Sequence, residues 1–310
     1  MLDGERNLLT LDIEDWCQSS TDLLAAADGR PRPLPPSERV LDNTRLLLRL
    51  LAAHGARATC FVLGTVAETY PQLVREICDA GHEVATHGYG HDPVYRLSRE
   101  EFAADLDRSI DALEAVTGER VIGYRAPYFS VTPSQPWVFE VLAERGLEYD
   151  SSTYPIHRSL YGYYPGWRGG STQRLPHRVE LSNGRSLVEL PCSTVRWAGQ
   201  YLPIGGGGTL RLVPARLWSA AIRHLNDSGW PAVVYLHPFD LDAEELRGRR
   251  PAEPWRARLL RWLLNFNRAG NEAKLSRLLA ELRFTSIADA LARAGVTPAS
   301  TGSARAASAG

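Results

Sequence analysis

Asp12, Glu14 and Asp15 stand together in LLTLDIEDWCQ, residues 8–18, where an apolar run meets three acids and Trp16. Carboxylates packed this closely repel one another unless a proton or a cation lies between them, so a metal is the first chemistry to consider. A second cluster, GHEVATHGYGHD, holds His82, Glu83, His87, His91 and Asp92. His82 and Glu83 begin like the HExxH zinc motif, but the fifth position is Thr86, so two histidines four apart on one helical face are lacking there. His87 and His91 are instead four apart across the turn GYG. Two neutral imidazoles from one turn, with a carboxylate from the first apolar run, make a three-ligand centre that keeps positions open for water and substrate, as catalytic sites do.

Two further stretches carry chemistry. In GYRAPYFS, residues 123–130, Arg125 is placed to pair with a carboxylate, and Pro127 fixes the backbone so that the Tyr128 amide can face a pocket as an oxyanion donor. In VVYLHPFDLD a β-branched run delivers His237, placed as an acid or a base, with Asp240 and Asp242 close behind. Between Ser151 and Ser186 lies an irregular stretch dense in Tyr154, Tyr161, Tyr163, Tyr164 and Trp167, whose flat rings suit stacking on sugars. The run Gly205–Gly208 has no following Lys-Ser/Thr and reads as a flexible turn, not a phosphate loop.

These residues need elements to position them, and the chain supplies a repeating pattern. Apolar residues through Leu11 fit a buried strand of a parallel sheet, on which side-chain alternation puts Asp12 and Glu14 on one face and Asp15 where the strand opens into a loop. A Pro-rich loop follows, then a helix capped by Ser37 with Val40, Leu41, Thr44, Leu47, Leu48 and Leu51 on one side. Strand 58–62, helix 66–80, strand 83–86, helix 99–117 with Ser98 and Glu101 as a capping box, strand 121–124, helix 137–145 and strand 147–150 come in succession. Later come strand 188–190, helix 214–228, strand 232–236, two helical stretches beyond Pro251, strand 284–285 and a closing helix capped by Ser286. Strand and helix in strict alternation imply parallel strands with right-handed crossovers. Every chemically suggestive residue then falls at the C-terminal end of a strand, the face where α/β enzymes build their sites.

Composition sets outer bounds. The 310 residues are 44% hydrophobic and 23% charged, an ordinary globular balance, and the net charge of -1 gives no basic field for nucleic acid. Lys274 is the only lysine. Arg49, Arg261 and Asn265 interrupt the longest apolar runs, so no membrane span is expected, and the polar MLDGERN start leads to the expectation of a cytoplasmic protein. Cys17, Cys60, Cys78 and Cys192 form no CxxC pair and read as reduced thiols. The small, polar residues 299–310 read as a disordered tail behind one catalytic domain, residues 1–298.

Taken in order, DIED, HGYGH, RAPY and LHPFD resemble the polysaccharide deacetylase family, carbohydrate esterase family 4 or NodB-homology fold, over roughly residues 8–295. Within it, the DIED start, the glycine run and the FTSI segment look like the subgroup found in exopolysaccharide gene clusters. The resemblance implies an α/β fold of the distorted (β/α) barrel type, a divalent metal, most often zinc, and an N-acetylated carbohydrate substrate. It makes Asp12 the general base, His87 and His91 metal ligands, Arg125 the partner that orients Asp12, Tyr128 the backbone oxyanion donor and His237 the general acid. Two departures stand out. The family's adjacent Asp-Asp pair is D-I-E-D here, so Asp15, the preferred choice, or Glu14 supplies the third ligand. The Asp that supports the acid histidine has no match in VELPCSTVRW, leaving Glu189 or Asp240 for that role. Tyr154, Tyr161 and Trp167 are the expected substrate contacts. Rival readings are a small-molecule or cyclic-amide amidohydrolase of the same fold and a non-catalytic carbohydrate-binding protein.

Overall fold

A computed structural model describes residues 2, 4–19, 35–132, 134–156, 171–245 and 255–296. The strands are β1 (Asn7–Ile13), β2 (Thr59–Val62), β3 (Glu83–Thr86), β4 (Gly123–Tyr124), β5 (Tyr149–Asp150), β6 (His177–Glu180), β7 (Ser186–Glu189), β8 (Thr194–Trp197), β9 (Gln200–Pro203), β10 (Val233–Leu236) and β11 (Phe284–Thr285). The α-helices are α1 (Trp16–Ser19), α2 (Arg39–Ala53), α3 (Gly64–Thr69), α4 (Pro71–Asp79), α5 (Arg99–Thr117), α6 (Trp137–Glu144), α7 (Gly207–Leu212), α8 (Ala215–Asp227), α9 (Trp255–Asn265), α10 (Asn271–Glu281) and α11 (Ile287–Arg293).

The main sheet runs β10-β1-β2-β3-β4-β5-β7-β6, with β11 also pairing β1. All its pairs are parallel except β6–β7, which makes the expected α/β class and curled, barrel-like sheet of parallel strands. All seven residues of β1 are buried, because neighbours flank it on both edges and helices or site residues cover both faces. The core gathers Leu9, Leu11 and Ile13 of β1 with Leu47 and Leu51 of α2, Leu106 and Leu113 of α5, and Leu275 and Leu278 of α10. Each such fully buried leucine contributes about 1.5–3 kcal/mol relative to an exposed one.

Local chemistry explains where the elements stop. The α5 helix starts with a complete capping box between Ser98 and Glu101 and ends at Gly118, whose φ of 68° suits the left-handed C-cap. The expected helix 66–80 is two helices, because Pro71 lacks the N–H that a continuous helix would need and begins α4 instead. Ser37 stands two residues ahead of α2, where its Oγ accepts from the Arg39 N–H at 3.3 Å; Glu38 is the capping position. The β4 and β5 strands are two residues each, shorter than the alternation suggested.

The stretch after Ser151 also holds β6, antiparallel to β7, and β8 and β9 form a separate hairpin. The glycine run is a packing device and not a flexible turn. A Cβ on Gly206 would lie 2.6 Å from the Tyr235 hydroxyl, and one on Gly207 only 1.9 Å from Asp240 Oδ2, so these glycines let the start of α7 press against β10 and the loop after it. Tyr161, Trp167 and residues 299–310 lie outside the described residues.

Candidate metal and catalytic site

Side-chain alternation along β1 places Thr10, Asp12 and, just past the strand, Glu14 toward the mouth of the curled sheet. Opposite them, the turn after β3 carries His87 and His91. His91 has φ of 66° and Gly88 φ of 78°, and these two left-handed residues fold the turn tightly enough to bring both rings to one side. The ring centroids are 5.3 Å apart.

Ligand atoms of Glu14, His87 and His91 lie within 4.8 Å of one another, and all three residues are buried. Glu14 Oε2 is 2.6 Å from His91 Nε2 and 4.0 Å from His87 Nε2, yet it has no hydrogen bond of acceptable geometry. A buried carboxylate oxygen left in that state, facing two imidazole nitrogens, fits a divalent cation as the missing partner. His87 Nδ1 donates to the Arg125 carbonyl at 2.8 Å, which leaves the Nε2 lone pair facing Glu14. Burial, outweighing the nearby carboxylates, lowers the His87 pKa to about 4, so the ring is neutral near pH 7 and able to ligate. Burial alone would raise the Glu14 pKa, but the charge and contact of His91, helped by His237 and His87, bring it down to about 2.

Asp15, the preferred third ligand on the sequence, is directed elsewhere. Its Oδ1 accepts from the Trp16 N–H at 3.0 Å and its Oδ2 from the Ser37 N–H at 2.6 Å, so it holds the start of α1 and ties the returning chain to the end of β1. The structure brings Glu14, the alternative, to the histidines.

Asp12 is buried and its Oδ1 accepts from Arg125 Nη1 at 2.7 Å. Arg125 is itself fully buried; Nη1 also donates to Thr10 Oγ1, Nε to the Ser151 carbonyl at 3.0 Å and Nη2 to Ser151 Oγ at 2.8 Å, and the guanidinium lies 4.3 Å over the Phe61 ring. A buried cation bonded on so many sides has a single available pose, which fixes the free oxygen of Asp12. Thr10 and Ser151 carry no motif of their own. Thr10 was findable from strand alternation with Asp12; Ser151 was not, because its role depends on β5 lying beside β4.

His237 follows β10 and faces the same pocket: Nε2 is 3.4 Å from Glu14 Oε1 and 3.8 Å from Asp12 Oδ2. Its Nδ1 is 3.1 Å from Asp240 Oδ2, which also accepts the His237 main-chain N–H at 2.8 Å. Phe239 stacks on the ring at 4.5 Å. Burial opposes a charge on His237, but the Asp240 bond and charge, with Glu14 and Asp12 behind them, raise its pKa to about 9. Of the two carboxylates proposed from the sequence to support His237, Asp240 is the one beside it. Glu189 lies against Asp150 across β5 and β7, and burial raises both carboxyls, Glu189 far above its ordinary range. The Glu189 carboxyl accepts from the Thr153 N–H at 3.0 Å.

Tyr128 and Phe129 form a left-handed turn after Pro127, with φ of 56° and 51°. The Tyr128 ring lies 4.4 Å from His91 and its hydroxyl donates to the Gln18 carbonyl at 3.0 Å, so this turn forms one wall of the pocket. Tyr154 packs against Phe129 at 5.1 Å and Tyr235 at 5.9 Å, behind that wall.

Residues 35–149 match a family model described as "Polysaccharide deacetylase", and residues 151–292 match one described as "Domain of unknown function (DUF3473)". β1, with Asp12 and Glu14, precedes both stretches. The "Peptidoglycan deacetylase" of Helicobacter pylori is 31% identical over 156 residues, 47% of this chain and 51% of that protein. The "Peptidoglycan deacetylase-like protein FGM2" of Gibberella zeae is 32% identical over 117 residues, 37% of this chain and 34% of that protein. The chain thus spans a third to a half of these relatives. A crystal structure from Mycobacterium smegmatis named for the polysaccharide deacetylases superposes with a TM-score of 0.58 at 24% identity, covering 97% of this chain and 96% of that one, a likeness of fold.

Proposed function

This chain belongs to the polysaccharide deacetylase family, and from that premise we propose that it hydrolyses the N-acetyl amide of an N-acetylated sugar in a polysaccharide, oligosaccharide or lipid-linked glycan precursor. The observation that carries the reading is the convergence of Glu14, His87 and His91 on one side of a pocket whose other side holds Asp12 and His237, each fixed by its own buried partner. Glu14, His87 and His91 would hold a divalent cation, with zinc favoured by the nitrogen-rich ligand set. Such a cation supplies Lewis-acid polarisation of the amide carbonyl and acidifies a water for attack.

The remaining work falls to side chains. Asp12, with one oxygen engaged by Arg125, accepts the proton of the attacking water on the other. The Tyr128 main-chain N–H is assigned to the oxyanion. His237, protonated and held at Nδ1 by Asp240, donates from Nε2 to the amide nitrogen as the C–N bond breaks, because an amine leaves poorly without a proton. Water and amide give acetate and a free amino sugar.

Acetate and amine should appear in equal amounts when the metal-loaded protein meets N-acetylated oligosaccharides, and chelation should stop both. Opening of a cyclic amide with no acetate from any sugar would overturn the reading in favour of a small-molecule amidohydrolase. Sugar binding with no turnover on a metal-loaded protein would make it a binding protein.

Asp240→Asn tests the acid. Removing that carboxylate lowers the His237 pKa, so the imidazolium is lost at lower pH and the alkaline fall of the rate should move down from about 9. An alkaline limb that stays in place would free Asp240 of this role.

A further inference from the structure

The α9 helix carries an apolar face that looks outward. Leu259, Trp262, Leu263 and Phe266 are 48%, 60%, 49% and 47% exposed, whereas Leu264, on the opposite side, is 6% exposed and packs with Trp16 and Phe239. The spacing of 3, 1 and 3 residues puts all four on one stripe of the helix and the turn after it. Trp262 and Phe266 lie ring to ring at 5.7 Å. The patch continues onto α7, where Leu212 is 55% exposed, and the two segments are tied by the Asn267 amide donating to the Arg211 carbonyl at 2.8 Å.

Charge decides what fits this face. The helix contains Arg256, Arg258 and Arg261 and no acid, and between Glu253 and Glu272 the chain has no carboxylate. Arg258 is exposed. A second copy docked by two-fold symmetry would set two arginine-bearing helices against each other, neither of which contains an acid. An apolar stripe holding tryptophan and phenylalanine, on a helix whose charged residues are all arginines and whose Arg258 is exposed, matches instead the boundary of an anionic bilayer, where rings sit at headgroup depth and cations meet lipid phosphates.

We propose that α9 and the adjoining tip of α7 seat the protein on an anionic membrane surface, lying in the interface without crossing it. Leu264 connects this face to the pocket through Phe239, whose ring stacks on His237, so docking holds the catalytic centre near the headgroup layer. The docking rests on this face alone and stands whether or not the pocket deacetylates sugars.

The test is co-sedimentation of the full-length, metal-loaded protein with vesicles of phosphatidylcholine alone or mixed with phosphatidylglycerol. Wild type should pellet with the mixed vesicles, less so as salt rises, and should remain in solution with neutral ones. Trp262→Glu with Phe266→Glu should weaken the association by on the order of tenfold or more, and Arg258→Gln should weaken it less, while acetate release from a soluble N-acetylated oligosaccharide is unchanged in both. Wild type that remains in solution with every vesicle overturns the proposal whatever its activity. So does a dimer in analytical ultracentrifugation that the double substitution dissociates without any change in vesicle binding, since the face would then be a contact between copies.

Discussion

Glu14→Gln is expected to cost the protein its divalent cation, whereas Asp15→Asn keeps it. Glu14 supplies the only carboxylate oxygen among the three convergent groups, and a neutral amide there removes both a ligand and the charge that offsets the cation. Loss of an outer partner to a ligand already weakens metal binding by roughly 10–100-fold, so loss of the ligand itself should exceed that. Asp15 instead accepts two main-chain N–H groups on its two oxygens, and its amide variant, with one acceptor oxygen left, should lose about 1 kcal/mol of stability, the usual net worth of one hydrogen bond, with full metal content. Elemental analysis after gel filtration, alongside thermal melts, separates the two. A metal-free Asp15→Asn beside a loaded Glu14→Gln would exchange their roles.

Asp12→Asn is expected to stay loaded with metal and to lose about 10²–10⁴-fold in turnover, the usual worth of a positioned base. The substitution has a second cost, because Arg125 is fully buried and loses its only carboxylate partner among the bonds described above. Breaking a buried pair in this way costs about 3–5 kcal/mol, so the melting temperature should fall even though the amide can still accept the Arg125 hydrogen bond. Rates must therefore be measured well below the variant's own melting temperature. A folded, metal-loaded Asp12→Asn variant with nearly wild-type turnover would show that another group takes the proton.

Much of the site was legible because it is local. The buried run before Asp12, the four-residue spacing of His87 and His91, and the Ser98–Glu101 box each depend on neighbours within a few positions, and the folded chain has them as expected. Asp240 is also local, three residues after His237. Alternation had already put Glu14 on the face of Asp12, while the adjacent Asp-Asp pattern of the resembling family drew the preference to Asp15. What diverts Asp15 is Ser37, a residue that returns from 22 positions away and whose approach no local pattern encodes. The same holds for Glu189, which meets Asp150 only because β5 and β7 are adjacent, and for Gly207, whose hydrogen side chain matters only once α7 lies on Asp240. Pro71, by contrast, was a readable break that helical periodicity on either side obscured.

The neighbours of β1 govern when this centre can exist during folding. Its Asn7 side chain accepts from the Ala232 N–H, 225 positions on, and donates to the Arg283 carbonyl, 276 positions on. The strand bearing Asp12 is completed by β10 and β11, which lie far along the chain from it. Contacts so distant in sequence close slowly, and until they do the early strand has an open edge and the acids have no opposing His237. A chain that has not yet closed these contacts is therefore an edge-exposed intermediate with an incomplete centre, open to mispairing until β10 and β11 arrive.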